Sequence, residues 1–108
     1  MKLTFHERYG LLGILPQEED YATLRIAYTA RLLLAPSAEE IQEFEIRQDG
    51  PNIVWNLEKA RDYLPDVPLD DSQITMLRKK LIDLDRSKKL TPNTYSVFEK
   101  FVLTYQQL

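Results

Sequence analysis

Apolar residues recur at helical spacing in several stretches of the chain, with breaking or polar residues between them. Thr4-Phe5-His6-Glu7 is a Ser/Thr-x-x-Glu capping box, which satisfies the free amides at a helix start. It predicts a helix over about residues 5–13 with Tyr9, Leu12 and Ile14 inward. Leu15-Pro16 ends that helix, because a residue before proline avoids helical angles. The acidic run Gln17 to Asp20 suits the positive end of a second helix dipole. Residues 21–34 then read as the most apolar helix. Tyr21, Leu24, Tyr28 and Leu32 form a stripe, widened by Ile26, Ala27, Ala30 and Leu34, and this helix is expected at the centre of the core. Ala35-Pro36 breaks the chain. Ser37-Ala38-Glu39-Glu40, a second capping box, opens a short helix with Ile41 and Phe44 inward.

The period then changes to two. Phe44, Ile46 and Gln48 alternate with Glu45 and Arg47, and a second short run, Ile53-Val54-Trp55, follows Asp49-Gly50-Pro51-Asn52. Two such runs around a glycine turn predict a β-hairpin. Pro51 points to a loop longer than two residues, and Ile46, Ile53 and Trp55 are expected to pack on the helices, since a lone hairpin is marginal in water. Asn56 caps a short helix to residue 63, and Leu64-Pro65-Asp66-Val67-Pro68 is an extended linker with no evident strand partner.

Helical spacing is clearest at the C-terminal end. Asp70 with Gln73, and the staple pair Leu69 and Ile74, open a helix whose face is Ile74, Leu77, Leu81 and Leu84. Leu90-Thr91-Pro92 opens the last helix, with Thr91 as cap and Tyr95 completing a second staple. Its apolar face reads as Tyr95, Phe98, Phe101 or Val102, and Tyr105. The short turn between the two predicts an antiparallel pair, docked on the 21–34 helix. The fold class is therefore mainly α with a small β-hairpin (α+β): five to six helices, the hairpin inserted mid-chain, and a C-terminal helix–turn–helix pair.

The chain has 108 residues, 44% hydrophobic and 29% charged, which predicts one domain over 1–108 and an ordered core. A net charge of −3 lacks the basic excess that duplex DNA binding favours. With no cysteine, disulfides, thiolate nucleophiles and Cys-based metal sites are excluded. The longest apolar run, Leu32-Leu33-Leu34-Ala35, is far short of a membrane span. No charged-then-apolar leader opens the chain, so a cytoplasmic protein without a membrane partner is expected.

Candidate chemistry is sparse. Residues 83–94 resemble an EF-hand loop, with Asp83, Asp85 and Ser87 at the first three ligand positions. Lys88 stands where that loop needs glycine and Thr94 where it needs glutamate, so a charged helix–loop–helix corner is the preferred reading. The single histidine, His6, has no evident catalytic partner. The carboxylate clusters Glu18-Glu19-Asp20, Glu39-Glu40 with Glu43 and Glu45, and Asp70-Asp71 largely mark helix starts, although a carboxylate- or metal-dependent enzyme could draw on them. No phosphate-cradling glycine loop occurs, and no cofactor is implied. Arg78, Lys79, Lys80, Lys88 and Lys89 form a candidate basic patch, read either as a nucleic-acid site or as a solvated face. Trp55 and Tyr105 are the aromatic candidates for partner contact.

Five segments, Leu15-Pro16-Gln17-Glu18, Asp20-Tyr21-Ala22-Thr23-Leu24, Ser37-Ala38-Glu39-Glu40-Ile41, Ile53-Val54-Trp55-Asn56, and Lys89-Leu90-Thr91 leading to Phe98-Glu99-Lys100-Phe101-Val102, together resemble small uncharacterised proteins of tailed bacteriophages and prophages. The resemblance implies a phage or prophage origin and action on a host or virion protein. The leading expectation is a non-enzymatic accessory protein acting by protein–protein interaction in the host cytoplasm, either as a host-modulating factor or as a virion-assembly component. Nucleic-acid binding is the second reading and a small carboxylate or metal enzyme the third.

Overall fold

The structure is a computed structural model and describes residues 1–104. Six α-helices and one hairpin follow in order: α1 Phe5–Ile14, α2 Tyr21–Leu34, α3 Ala38–Glu43, β1 Arg47–Asp49, β2 Asn52–Val54, α4 Leu57–Ala60, α5 Asp71–Arg86 and α6 Pro92–Phe98, the last continuing as a π-helix over Glu99–Thr104. The fold is thus mainly helical with a small antiparallel hairpin.

Helix starts follow local sequence. Thr4, Ser37 and Asp70 each accept from the amide three residues on and are answered by Glu7, Glu40 and Gln73. The last helix differs. Thr91 makes no side-chain cap hydrogen bond; the Thr94 hydroxyl instead reaches back and accepts from the Thr91 amide at 2.9 Å. The helix that Asn56 caps is a single turn ending at Ala60, shorter than its sequence suggests.

Leu3, Leu11, Ala30, Leu34, Leu77, Leu81, Val97 and Phe101 form the centre of the core. α5 supplies Ile74, Leu77 and Leu81 from the expected face, and Leu84 is half-buried. Helices α5 and α6 pack on each other across the short corner, but α6 rests mainly on α1 rather than α2. Gly10 permits that contact, since a Cβ there would lie 2.5 Å from the Asn93 carbonyl oxygen.

Several expectations are corrected. On α1 the fully buried positions are Phe5, Glu7, Arg8 and Leu11; Leu12 and Ile14 pack half-buried against the core as expected, and Tyr9 is half-buried beside Trp55. On α6 the fully buried positions are Thr94 and Val97; Phe98 packs half-buried against the core as expected, but Tyr95 is 65% exposed beside Leu90 and Pro92. The wider π-turn then brings the adjacent Phe101 and Val102 both inward. Ile41 and Ile53 lie at the surface instead of packing inward. The hairpin pairs Asp49 with Asn52, so its loop is the two residues Gly50-Pro51. Gly50 takes φ +61°, as the first central position of a II′-type turn requires, and the ring-fixed φ of proline suits the second. The linker also finds a partner: Lys2 bridges Asp66, with backbone bonds from Leu3 to Pro65 and from Val67 to Met1.

Candidate functional site

Helix α2 buries the flank of its expected inner face and exposes the tyrosine stripe expected at its centre. Its buried residues are Ala27, Ala30 and Leu34. Alanines let its backbone approach α5 and α1 closely, and the larger side chains are left to the opposite side. Tyr21, Tyr28 and Leu32 are 78%, 62% and 63% exposed. They stand seven and four residues apart, which aligns them along one side of the helix. Arg25 lies between the two tyrosines, and Arg31 flanks Leu32. Neither arginine forms an ion pair among the described residues. Asp20 caps the helix at 2.7 Å from the Thr23 amide, and the Gln73 amide group donates to the Thr29 hydroxyl at 3.0 Å, tying α2 to α5. Among the described residues, the Tyr21–Tyr28–Leu32 side of α2 is the largest aligned set of exposed apolar side chains.

Between α2 and α5 runs a groove of about 610 Å³ with Pro16, Ile26 and Met76 among its apolar walls. Lys79 and Lys80 line it, but so do Glu19, Asp20, Asp71 and Asp83. Arg78, on the same helix, is half-buried. Lys88 is exposed in the turn after α5, and Lys89 lines a different groove beside Tyr9, Gly10 and Asn93. The structure therefore brings Lys79 and Lys80 to a groove of mixed charge and sets Lys89 elsewhere.

Trp55 is half-buried. It lies near-parallel to the Tyr9 ring, centroids 5.8 Å apart, and tilted against Phe5. With His6, Asn52 and Asn93 it lines a cleft of about 380 Å³ between the hairpin and α1. Phe44 and Tyr63 complete this aromatic cluster with centroids 4.4 Å apart. Tyr105, the other aromatic candidate, lies outside the described residues.

A buried polar network escaped the sequence reading. Arg8 grips Glu40 through two parallel bonds, Nη1 to Oε2 at 2.8 Å and Nη2 to Oε1 at 2.9 Å. Its Nε and Nη2 also donate to the carbonyls of Leu34 and Ala35, the last turn and cap of α2. The Tyr63 hydroxyl donates to Glu40 at 2.6 Å, and the Ser37 amide donates at 2.9 Å. The Arg8 bonds outweigh burial and hold the Glu40 carboxyl down at about 2, while donation to Glu40 pushes the Tyr63 phenol up to about 12. Glu7 is similar in kind. Burial pushes its carboxyl up, but bonds from Lys100 at 2.7 Å and the Thr4 amide leave it below the usual carboxylate range. Each of these acids is saturated by protein donors, so its chemistry is to join elements: α1 to α2 and α3 through Arg8, and α1 to the C-terminal π-turn through Glu7. The only sequence signal was the second role of Glu40 as a capping residue.

Asp83 and Asp85, the first two positions of the EF-hand-like stretch, are inside α5 rather than in a loop. Among the described residues no three His, Cys, Asp or Glu side chains gather to hold a metal ion, and no helix is long and apolar enough to cross a membrane. Comparison of the chain with family models, curated proteins and solved structures finds no match.

Proposed function

We propose that this chain is a non-enzymatic protein-interaction module whose contact face is the outer side of α2. One observation carries the reading: Tyr21, Tyr28 and Leu32 stand exposed in a row on a helix whose alanines were spent on the core. Scattered exposed apolar residues are ordinary, but an aligned set marks an interaction surface. Tyrosine and arginine are also the residues that concentrate binding energy at protein interfaces, and Arg25 sits within the row. The phage or prophage accessory role suggested by the sequence segments belongs to the same proposal, with a host or virion protein as the target.

Affinity capture from a bacterial host lysate tests it, comparing the wild-type chain with Tyr28→Glu and with the Lys79→Glu/Lys80→Glu pair. Proteins retained by the wild type and the lysine variant, but lost with Tyr28→Glu, support the module. Retention that ignores Tyr28→Glu and disappears with the lysine variant or nuclease treatment moves the function to nucleic-acid binding at the α2–α5 groove.

A further inference from the structure

Resting on the reading of α2 as a protein-contact face, we infer that one partner for that face is a second copy of this chain, with the two α2 helices packed antiparallel. The face is complementary to itself in that orientation only. A two-fold axis between Ile26 and Ala27 sets Tyr21 of each copy opposite Leu32 of the other, and Arg25 opposite Tyr28. The four contacts are then two aromatic–aliphatic pairs and two cation–aromatic pairs, the latter favourable over a tyrosine face. Parallel pairing would instead set Arg25 against Arg25.

The ends of the helix agree with this register. Glu18, Glu19 and Asp20 precede α2, whereas Arg31 lies in its last turn. Antiparallel packing carries the acids of one copy to the arginine of the other, and aligns the two helix dipoles head to tail. Glu18 and Glu19 have no ion pair of their own among the described residues. Leu32 also forms part of a groove of about 500 Å³ with Pro36, Pro65 and Pro68, where the Tyr21 ring of the second copy can rest. Tyr21 and Leu32 are separated by about 16 Å along the helix axis, so the contact spans most of α2. The exposed parts of Tyr21, Tyr28 and Leu32 amount to about 400 Å² per copy, half of a standard interface, so the dimer is weak and reversible.

The absence of native cysteine makes the test direct. Tyr21→Cys and Leu32→Cys chains are mixed in equal amounts and mildly oxidised. Antiparallel pairing requires the mixed 21–32 disulfide to exceed either like-with-like product at least about fivefold. Sedimentation velocity of the wild type over about 10–500 µM should show mass rising from 12.7 kDa toward twice that value, as a small interface predicts. Tyr28→Glu should stay monomeric throughout with an unchanged helical circular dichroism spectrum. Dominant like-with-like disulfides, or a wild type that remains monomeric to the highest concentration, overturn the dimer. Neither result touches the module reading, which is decided by the lysate capture with Tyr28→Glu.

Discussion

Arg8 and Glu40 meet through two parallel hydrogen bonds of 2.8 and 2.9 Å, although 32 residues separate them in sequence. The pair fastens α1 to the start of α3, and the remaining Arg8 donors close the end of α2. Arg8 is 4% exposed and Glu40 14%, so the charges are largely out of water and depend on each other.

Removing one partner leaves the other charge in place without compensation. Arg8→Ala should therefore destabilise the fold by about 3–5 kcal/mol. Arg8→Lys should recover only part, because an ammonium cannot match both carboxylate oxygens and two carbonyls at once. Urea denaturation of the three proteins measures this. Equal midpoints would mean that the pair adds nothing to the folded state.

The same pair sets an acid limit. Glu40 titrates at about 2 in the folded chain against 4.5 ordinarily. A carboxyl lowered by folding contributes fully above pH 4.5 and loses that contribution as the pH falls toward 2. At 1.36 kcal/mol per pH unit the difference corresponds to about 3 kcal/mol. Tyr63 acts at the other extreme: raised from 10 to about 12, its share is intact below pH 10 and fades as the pH climbs toward 12. Stability of wild type and Glu40→Gln, measured from pH 7 to 2.5, should converge toward the acid end.

A third expectation concerns the end of α5. Lys88 sits at φ +58°, its amide bonding the Asp85 carbonyl while the Lys89 amide reaches Leu84. This is the Schellman arrangement, in which glycine is favoured at the left-handed position. Lys88→Gly should stabilise the chain by about 0.5–1 kcal/mol, with Lys88→Ala as the control for lost charge. Thermal melts would contradict this if glycine and alanine behaved alike.

At the start of α6, the two threonines have unequal roles. Thr94 is buried and its hydroxyl holds the Thr91 amide, whereas the exposed Thr91 hydroxyl makes only a 3.4 Å contact with that of Thr94. Thr94→Ala should cost about 1–2 kcal/mol and Thr91→Ala less than about 0.5 kcal/mol. Reversal of that order in chemical denaturation would restore Thr91 as the cap.

What the sequence made legible was local. Capping boxes at Thr4, Ser37 and Asp70 depend on residues three apart, and the stripe Ile74, Leu77, Leu81 has polar residues around it to mark its inner side. The α2 segment offers no such contrast. Apolar residues surround much of its circumference, so periodicity alone cannot say whether Tyr28 or Ala30 faces inward. That choice belongs to the neighbours, which accept alanine at close range. The Arg8–Glu40–Tyr63 network was hidden for a related reason: it joins three segments that only the finished fold brings together. At Tyr95 the inner face lies one residue earlier, at Thr94, because α-helical spacing back from the buried Phe101 runs through Val97 and Thr94.

The orientation of α2 is open to direct test, because the tyrosine stripe expected inward is exposed while its alanine flank is buried. If the tyrosine stripe were the core face, Tyr28→Ser would open a cavity costing several kcal/mol, about 3–5 for a large aromatic side chain. In the structure Tyr28 is 62% exposed and Ala30 is fully buried. Tyr28→Ser should then stay within about 0.5 kcal/mol of wild type, as surface substitutions do. Ala30→Leu inserts three carbons where the helix backbone meets its neighbours, and overpacking of that kind costs about 1–3 kcal/mol. Leucine is a good helix former and more apolar than alanine, so propensity and hydrophobicity alone give no reason for such a loss. Only close packing on the alanine side does. Urea denaturation at low protein concentration, below any self-association, separates the two cases. A harmless Ala30→Leu beside a damaging Tyr28→Ser would turn α2 around, and with it the contact face proposed for this chain.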